Sequence, residues 1–234
     1  MTKVIILCGG LGTRIGLETK YKPKPMIKID DKPILWHIMS IFKSQGYNDF
    51  ILSAGYKSEM IKNYFKDSNE FKVKVINTGL NTETGGRILL LKKYIKDKHF
   101  FMTYGDGICD VNLNKLLSFH KKNKGVASLT AVRPPVRFGE IKFLKKRINS
   151  FVEKPQTGTG WINGGFFVLS REIFNYIKDK KTVFERGPLT KLSKQKKLFG
   201  FKHKGLWQCL DTVRDKNNIK KIIKEKKKVL KWMI

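Results

Sequence analysis

The chain has 234 residues, 41% hydrophobic and 29% charged, with 49 Lys and Arg against 19 Asp and Glu, for a formal charge of +30. That length and apolar content allow one large α/β unit with a real core. No run approaches the ~18 apolar residues of a membrane span, and the first residues enter a strand at once, leaving no room for a signal peptide, so a cytoplasmic protein with no membrane role is expected. The charge rests on 41 lysines and only 8 arginines spread from end to end, without the arginine-rich, aromatic-interleaved patches of a specific nucleic-acid reader, while three separated cysteines and four scattered histidines exclude a disulfide framework or zinc spacing.

The first strand is VIIL (4–7), and it runs straight into CGGLGTRIGLETKYKPKPM (8–26). A dinucleotide fingerprint fails because Ile15 stands where a third glycine is needed, and no Gly-Lys-Ser/Thr follows to make a Walker loop. What remains is a set of glycines able to take positive φ and bring backbone N–H groups to an anion, followed by Arg14 and by Lys24 between Pro23 and Pro25. This pattern points to a polyphosphate site, or to a glycine-rich turn on a basic surface. Apolar spacing then predicts a helix over 32–46, a strand over 49–55, a helix over 57–66, a strand over 73–77, a helix over 84–95 and a strand over 99–107. Such a Rossmann-like βαβ series binds ligands at the carboxyl ends of its strands.

The second half predicts strands over 127–135, 139–144, 148–155 and 163–170, helices over 171–179 and 189–197, and one further strand over 198–204. A final helix from Val213 carries Ile219, Ile222, Ile223, Val229, Leu230 and Met233 against lysines, as a helix docked on its own domain would. The chain reads as one domain, 1–234, with halves at 1–110 and 111–234.

Asp106 in TYGDG ends the fourth strand, where an Asp between glycines also serves as a turn residue. Asp211 in WQCLDTVRDK precedes a helix, where N-capping is the alternative. Together they offer hard oxygen ligands for Mg²⁺. In EKP, Glu153 can bond a polyol and Lys154 neutralise a phosphate, or the two form a surface ion pair; Asn163, Gly164 and Gly165 allow the close backbone approach a sugar needs.

Nine motifs in one order, GGLGTR, PKPM, KPILWHIM, TGGR, TYGDG, RFG, EKP, WINGGFFVL and WQ..DT.RDK, cover almost the whole chain and resemble those of the sugar-1-phosphate nucleotidyltransferases. The Glu-Thr before PKPM, the TGGR and the INGGFFVL block are similar to the branch that uses CTP and glucose 1-phosphate; the alternatives are another nucleoside triphosphate or sugar 1-phosphate, or a non-catalytic polyanion binder. The resemblance implies a mixed, mainly parallel sheet flanked by helices, of nucleotide-diphospho-sugar transferase type, with a nucleotide-binding first half and a sugar-phosphate-binding second half. It implies Leu7, Gly9, Gly10, Gly12, Thr13 and Arg14 around the nucleotide, Lys24 near the α-phosphate, and Thr84, Gly85, Gly86 and Arg87 at the base. It implies Asp106 and Asp211 on Mg²⁺, with Gly139, Glu153, Lys154, Asn163 and Gly164 at the sugar phosphate; Arg14, Lys24 and Lys154 then serve catalysis. A homo-oligomer feeding cell-surface polysaccharide synthesis is also implied. The segment between YFKDSNEF and VKVINTG is shorter than in that branch, whose insertion there contributes to subunit contacts. RIGLET departs from the family's usual leucine after the arginine.

Overall fold

The computed structural model describes residues 2–10, 12, 15–16, 18–133, 140–144, 146–152 and 160–226. In chain order these form β1 (Val4–Cys8), α1 (Glu18–Tyr21), β2 (Lys28–Ile29), β3 (Lys32–Pro33), α2 (Ile34–Lys43), β4 (Asp49–Ala54), α3 (Ser58–Phe65) and β5 (Lys72–Asn77). There follow α4 (Thr84–Leu90), β6 (His99–Tyr104), β7 (Gly107–Cys109), α5 (Leu113–Asn123), β8 (Ala127–Val132), β9 (Glu140–Leu144) and β10 (Arg147–Val152). The chain continues through β11 (Ile162–Ser170), α6 (Pro188–Lys194), β12 (Leu198–Lys202), β13 (Trp207–Cys209) and α7 (Val213–Lys226). Among the described residues no helix is long and apolar enough to cross a membrane.

Seven strands make one sheet in the order β12-β8-β11-β6-β1-β4-β5, parallel except for β11, which runs antiparallel to both β6 and β8. The period of two along each strand divides the core between the two faces. Val4 and Ile6 of β1 join Phe42, Phe101 and Phe166 on one face; Ile5 and Leu7 join Ile88, Phe100, Phe167 and Phe184 on the other. Burial of each large apolar side chain contributes about 1.5–3 kcal/mol. Ile219 and Ile223 of α7 are buried in the first of these clusters, so that helix docks on the sheet; Val229, Leu230 and Met233 lie outside the described residues.

From β1 the chain passes to β4 and β5 on one side and returns to β6 on the other. The reversal makes the carboxyl ends of β1 and β6 a switch point, where doubly wound sheets open a crevice for ligands.

Four elements differ from expectation. A further strand, β13, precedes α7 and pairs antiparallel with β7, Trp207 opposite Cys109 and Cys209 opposite Gly107; three-residue strands are too short to show periodicity. Residues 84–95 hold helix only to Leu90, and 171–179 form a 3-10 turn over Arg171–Tyr176. Helix α5, in a stretch with no predicted element, is capped by Asn112, whose side chain accepts from the Lys115 N–H.

His120 of α5 is fully buried, with Nδ1 2.9 Å from Ser128 Oγ and Nε2 2.9 Å from Ser170 Oγ. Burial, and then neighbouring His99, push its imidazole down to about 4. Below the usual histidine value near 6.5 the unfolded chain binds the proton better, so stability is lost as pH falls from about 6.5 to about 4. Denaturant titrations at pH 7.5 and 4.5 should show wild type losing about 2 kcal/mol more than His120→Gln. Equal losses would contradict the assignment.

Candidate active site

Strand β1 ends at Cys8, and the glycines that follow have separate structural reasons. A Cβ on Gly9 would lie 1.9 Å from Arg87 Nη1, so Gly9 makes room for that guanidinium. Gly12 has φ +67°, and a Cβ there would lie 2.7 Å from Lys24 Cβ. Gly10 meets nothing within 4 Å and borders an open cleft. Beyond the loop, Thr19 Oγ1 donates to the Gly16 carbonyl at 2.9 Å and Glu18 pairs with Lys216 of α7 at 2.6 Å, which ties the loop's exit to the last helix.

That cleft, about 650 Å³, is lined by Leu7, Gly9, Gly10 and Gly12 and by Leu80–Thr84 and Arg87, together with Lys24, Tyr104 and Asp106. A second cavity of about 380 Å³ shares Tyr104 and Asp106 and is lined further by Asn163, Gly164, Glu185, Trp207 and Asp211. Trp207 is fixed there by its indole N–H, which donates to the Gly164 carbonyl at 2.8 Å.

At the boundary of the two cavities stands Lys24, in a 3-10 turn that Pro23 and Pro25 pre-shape. Its ammonium lies 2.7 Å from Asp106 Oδ2 and 2.7 Å from Asp211 Oδ1. Burial works against the lysine's charge, but Asp106 and Asp211 more than offset it and hold the ammonium above its usual range. Two carboxylates from distant segments thus converge on the Lys24 ammonium, and their hard oxygens are of the kind that suits a divalent metal such as Mg²⁺. The β7–β13 ribbon enforces this convergence, because Asp106 and Asp211 flank the same end of it and the Leu210 N–H donates to the Asp106 carbonyl at 2.8 Å.

Asp211 does not cap α7. Thr212 and Asp215 do so in a reciprocal box: Asp215 Oδ2 accepts from the Thr212 N–H at 2.9 Å, and Thr212 Oγ1 accepts from the Asp215 N–H at 3.2 Å. Cys209 donates to Asp211 Oδ2 at 3.7 Å; burial, then Asp211, Asp106 and Asp215, push its thiol up to about 12. A protonated thiol is no nucleophile near neutral pH.

The TGGR stretch divides in two. Thr84 lines the cleft, whereas Gly85 and Gly86 are turned onto the segment before α6: their N–H groups donate to the Thr182 carbonyl at 3.0 and 3.2 Å. A Cβ on Gly86 would sit 2.3 Å from the Lys180 carbonyl oxygen. Close backbone packing is thus a structural reason for both glycines. Arg87 borders the cleft, but its side chain is buried and occupied, donating to Thr78 Oγ1 at 2.7 Å and to the carbonyls of Gly9 at 3.0 Å, Ala54 at 3.3 Å and Leu80 at 3.4 Å. Through the Gly9 carbonyl this side chain braces the glycine loop. Thr13, Arg14, Gly139, Glu153 and Lys154 lie outside the described residues.

Residues the sequence reading did not single out are Tyr104, Glu185, Trp207 and the capping Asp215. Tyr104 and Trp207 stand within quoted motifs, and the Thr-x-x-Asp spacing was a signal for the cap. Glu185 lies in a stretch without periodicity.

Residues 3–221 match the family described as "Nucleotidyl transferase". The chain belongs to that family. As a nucleotidyl transferase it is 41% identical over 238 residues to the glucose-1-phosphate cytidylyltransferase of Salmonella typhimurium, covering 92% of this chain and 93% of that protein. It is 39% identical over 252 residues to a Bacillus subtilis protein named "Probable glucose-1-phosphate cytidylyltransferase", covering 98% and 99%. Both alignments span more residues than this nucleotidyl transferase has, so these relatives carry additional residues within the matched span. The crystal structure of HddC from Yersinia pseudotuberculosis complexed with GMP-PN matches its fold with a TM-score of 0.73 at 29% identity, covering 94% of this chain and 99% of that one.

Proposed function

We propose that this nucleotidyl transferase joins CTP and α-D-glucose 1-phosphate into CDP-glucose and releases pyrophosphate. The observation that carries the reading is the convergence of Lys24, Asp106 and Asp211 at the boundary between a larger and a smaller cavity. The larger cavity suits a nucleotide laid along the glycine loop, and the smaller suits a hexose phosphate beside Asn163, Gly164 and Trp207. The names of the Salmonella and Bacillus relatives support the choice of substrates.

The sugar phosphate is already anionic at neutral pH and needs no general base. An oxygen of that phosphate forms a bond to the α-phosphorus of CTP, the bond from that phosphorus to the bridging oxygen breaks, and its electron pair leaves with pyrophosphate. The obstacle is the approach of like charges, so the protein's task is alignment and neutralisation. Asp106 and Asp211 would hold a Mg²⁺ ion, which would supply charge to offset that of the phosphates. By motif resemblance Lys24, whose ammonium both carboxylates hold in the structure, lies near the α-phosphate. Gly9, Gly10 and Gly12 admit the triphosphate to the backbone. By motif resemblance Arg14 meets the outer phosphates, while Glu153, Lys154 and Gly139 meet the sugar phosphate.

A second reading keeps the chemistry and changes the base, and the GMP-PN bound by HddC favours considering GTP. Pyrophosphate release with glucose 1-phosphate and Mg²⁺, offering CTP, UTP, dTTP, ATP and GTP in parallel, separates the two. The expected result is a preference for CTP. Preference for GTP establishes the second reading, and release from none of them, with any hexose 1-phosphate, overturns both.

A further inference from the structure

Three side chains link the walls of the two cavities. Glu185 accepts from the Tyr104 hydroxyl through Oε1 and from Thr84 Oγ1, at 2.7 Å, through Oε2. Thr84 opens α4 on the wall of the larger cleft, and its hydroxyl oxygen accepts from the Phe184 N–H at 2.9 Å. Tyr104 ends β6 and borders both cavities, of which the smaller is also lined by Asn163. Space for the tyrosine ring comes from Gly165, at φ +82°, where a Cβ would stand 2.8 Å from Tyr104 Cδ2.

A carboxylate suits this position because it is acceptor-only with two oxygens, and so takes both hydroxyl protons at once. Bonds to an ionised acceptor are also shorter and stronger than neutral ones. Glutamine has the same shape, but its amide presents one oxygen and an NH₂ group, so it cannot accept from both hydroxyls.

We infer that Glu185 is a positioning residue that locks the wall of the nucleotide cleft to the wall of the sugar-phosphate cavity, holding the two substrates in register for in-line attack. This rests on the proposed function. In-line transfer is sensitive to such register, since a 1 Å misplacement costs about 10²-fold in rate.

Three variants test it, each examined by separate calorimetric titration with CTP and with glucose 1-phosphate in Mg²⁺ buffer, and by steady-state kinetics. Thr84→Val should weaken CTP about fivefold and leave glucose 1-phosphate unchanged; Tyr104→Phe, at a residue that borders both cavities, should weaken glucose 1-phosphate about fivefold and CTP by less, each having lost one hydrogen bond. Glu185→Gln should weaken both ligands and lower kcat by about 10²-fold. A role confined to stability would lower the unfolding temperature without dividing the two affinities in this way. Wild-type binding of both ligands with Glu185→Gln unchanged overturns the inference and leaves the functional reading standing. So does an equal effect of Thr84→Val and Tyr104→Phe on the same ligand, a comparison that holds even if Glu185→Gln does not fold. A wild type that binds neither ligand overturns the inference and the functional reading together.

Discussion

Asp106→Asn should lower pyrophosphate release by about 10³-fold while the protein remains folded, the scale of loss when a group that stabilises developing charge is removed. The substitution exchanges one oxygen for NH₂ and removes a charge from a side chain that is about a third exposed, 2.7 Å from the Lys24 ammonium. Lys24 keeps its second partner, Asp211, at 2.7 Å. The unfolding temperature should therefore move little, whereas a site that needs two anionic oxygens on one cation loses half of them. Steady-state rates across a Mg²⁺ titration, with circular dichroism melting of the same samples, measure both quantities. Full activity at any Mg²⁺ concentration would remove Asp106 from the proposed site.

The second large effect concerns stability. Arg87→Ala should cost about 3–5 kcal/mol, because it empties a buried space and removes several hydrogen bonds made by one charged donor. The carbonyls of Gly9 and Ala54 and the Thr78 hydroxyl all accept from this guanidinium, and each keeps a further partner: the Tyr56 N–H, Thr78 and Ser53 respectively. In a chain of this size the unfolding temperature should fall by roughly 10 °C. Arg87→Lys should recover only part of the loss, since a single ammonium cannot reproduce a planar fork of donors. Nucleotide affinity should fall with stability, because the bond to the Gly9 carbonyl holds the loop on which the triphosphate is proposed to lie. Thermal melts and CTP titration check both effects; a melt within 2 °C of wild type would contradict the brace.

Much of the sheet was legible in the sequence because strands covered on both faces, such as β1, β4 and β6, read as continuous apolar runs. Asp106 was legible from its place at a strand end between glycines. The β7–β13 ribbon was not, since GIC and WQC are shorter than any period that could mark them. Gly85 and Gly86 show a deeper ambiguity: a glycine pair beside a basic residue looks the same whether a ligand or another stretch of backbone approaches it. Here the neighbour is Lys180–Thr182, nearly a hundred residues away in the chain, and only tertiary structure reveals it. Glu185 carries no local signal because its two partners come from β6 and from the first residue of α4.

The ladder between β7 and β13 has a consequence for how this protein can vary. The relation of the two acids depends on three residue pairs and one added bond, whatever the course of the chain between Cys109 and Trp207. Helix α5, the strands that carry the sugar-phosphate motifs and the loops joining them can lengthen, shorten or exchange substrate contacts while the carboxylates keep their spacing. On the proposed function, selectivity and chemistry are thereby separable: substrate choice can drift among relatives without rebuilding the proposed place where the phosphorus–oxygen bond is exchanged.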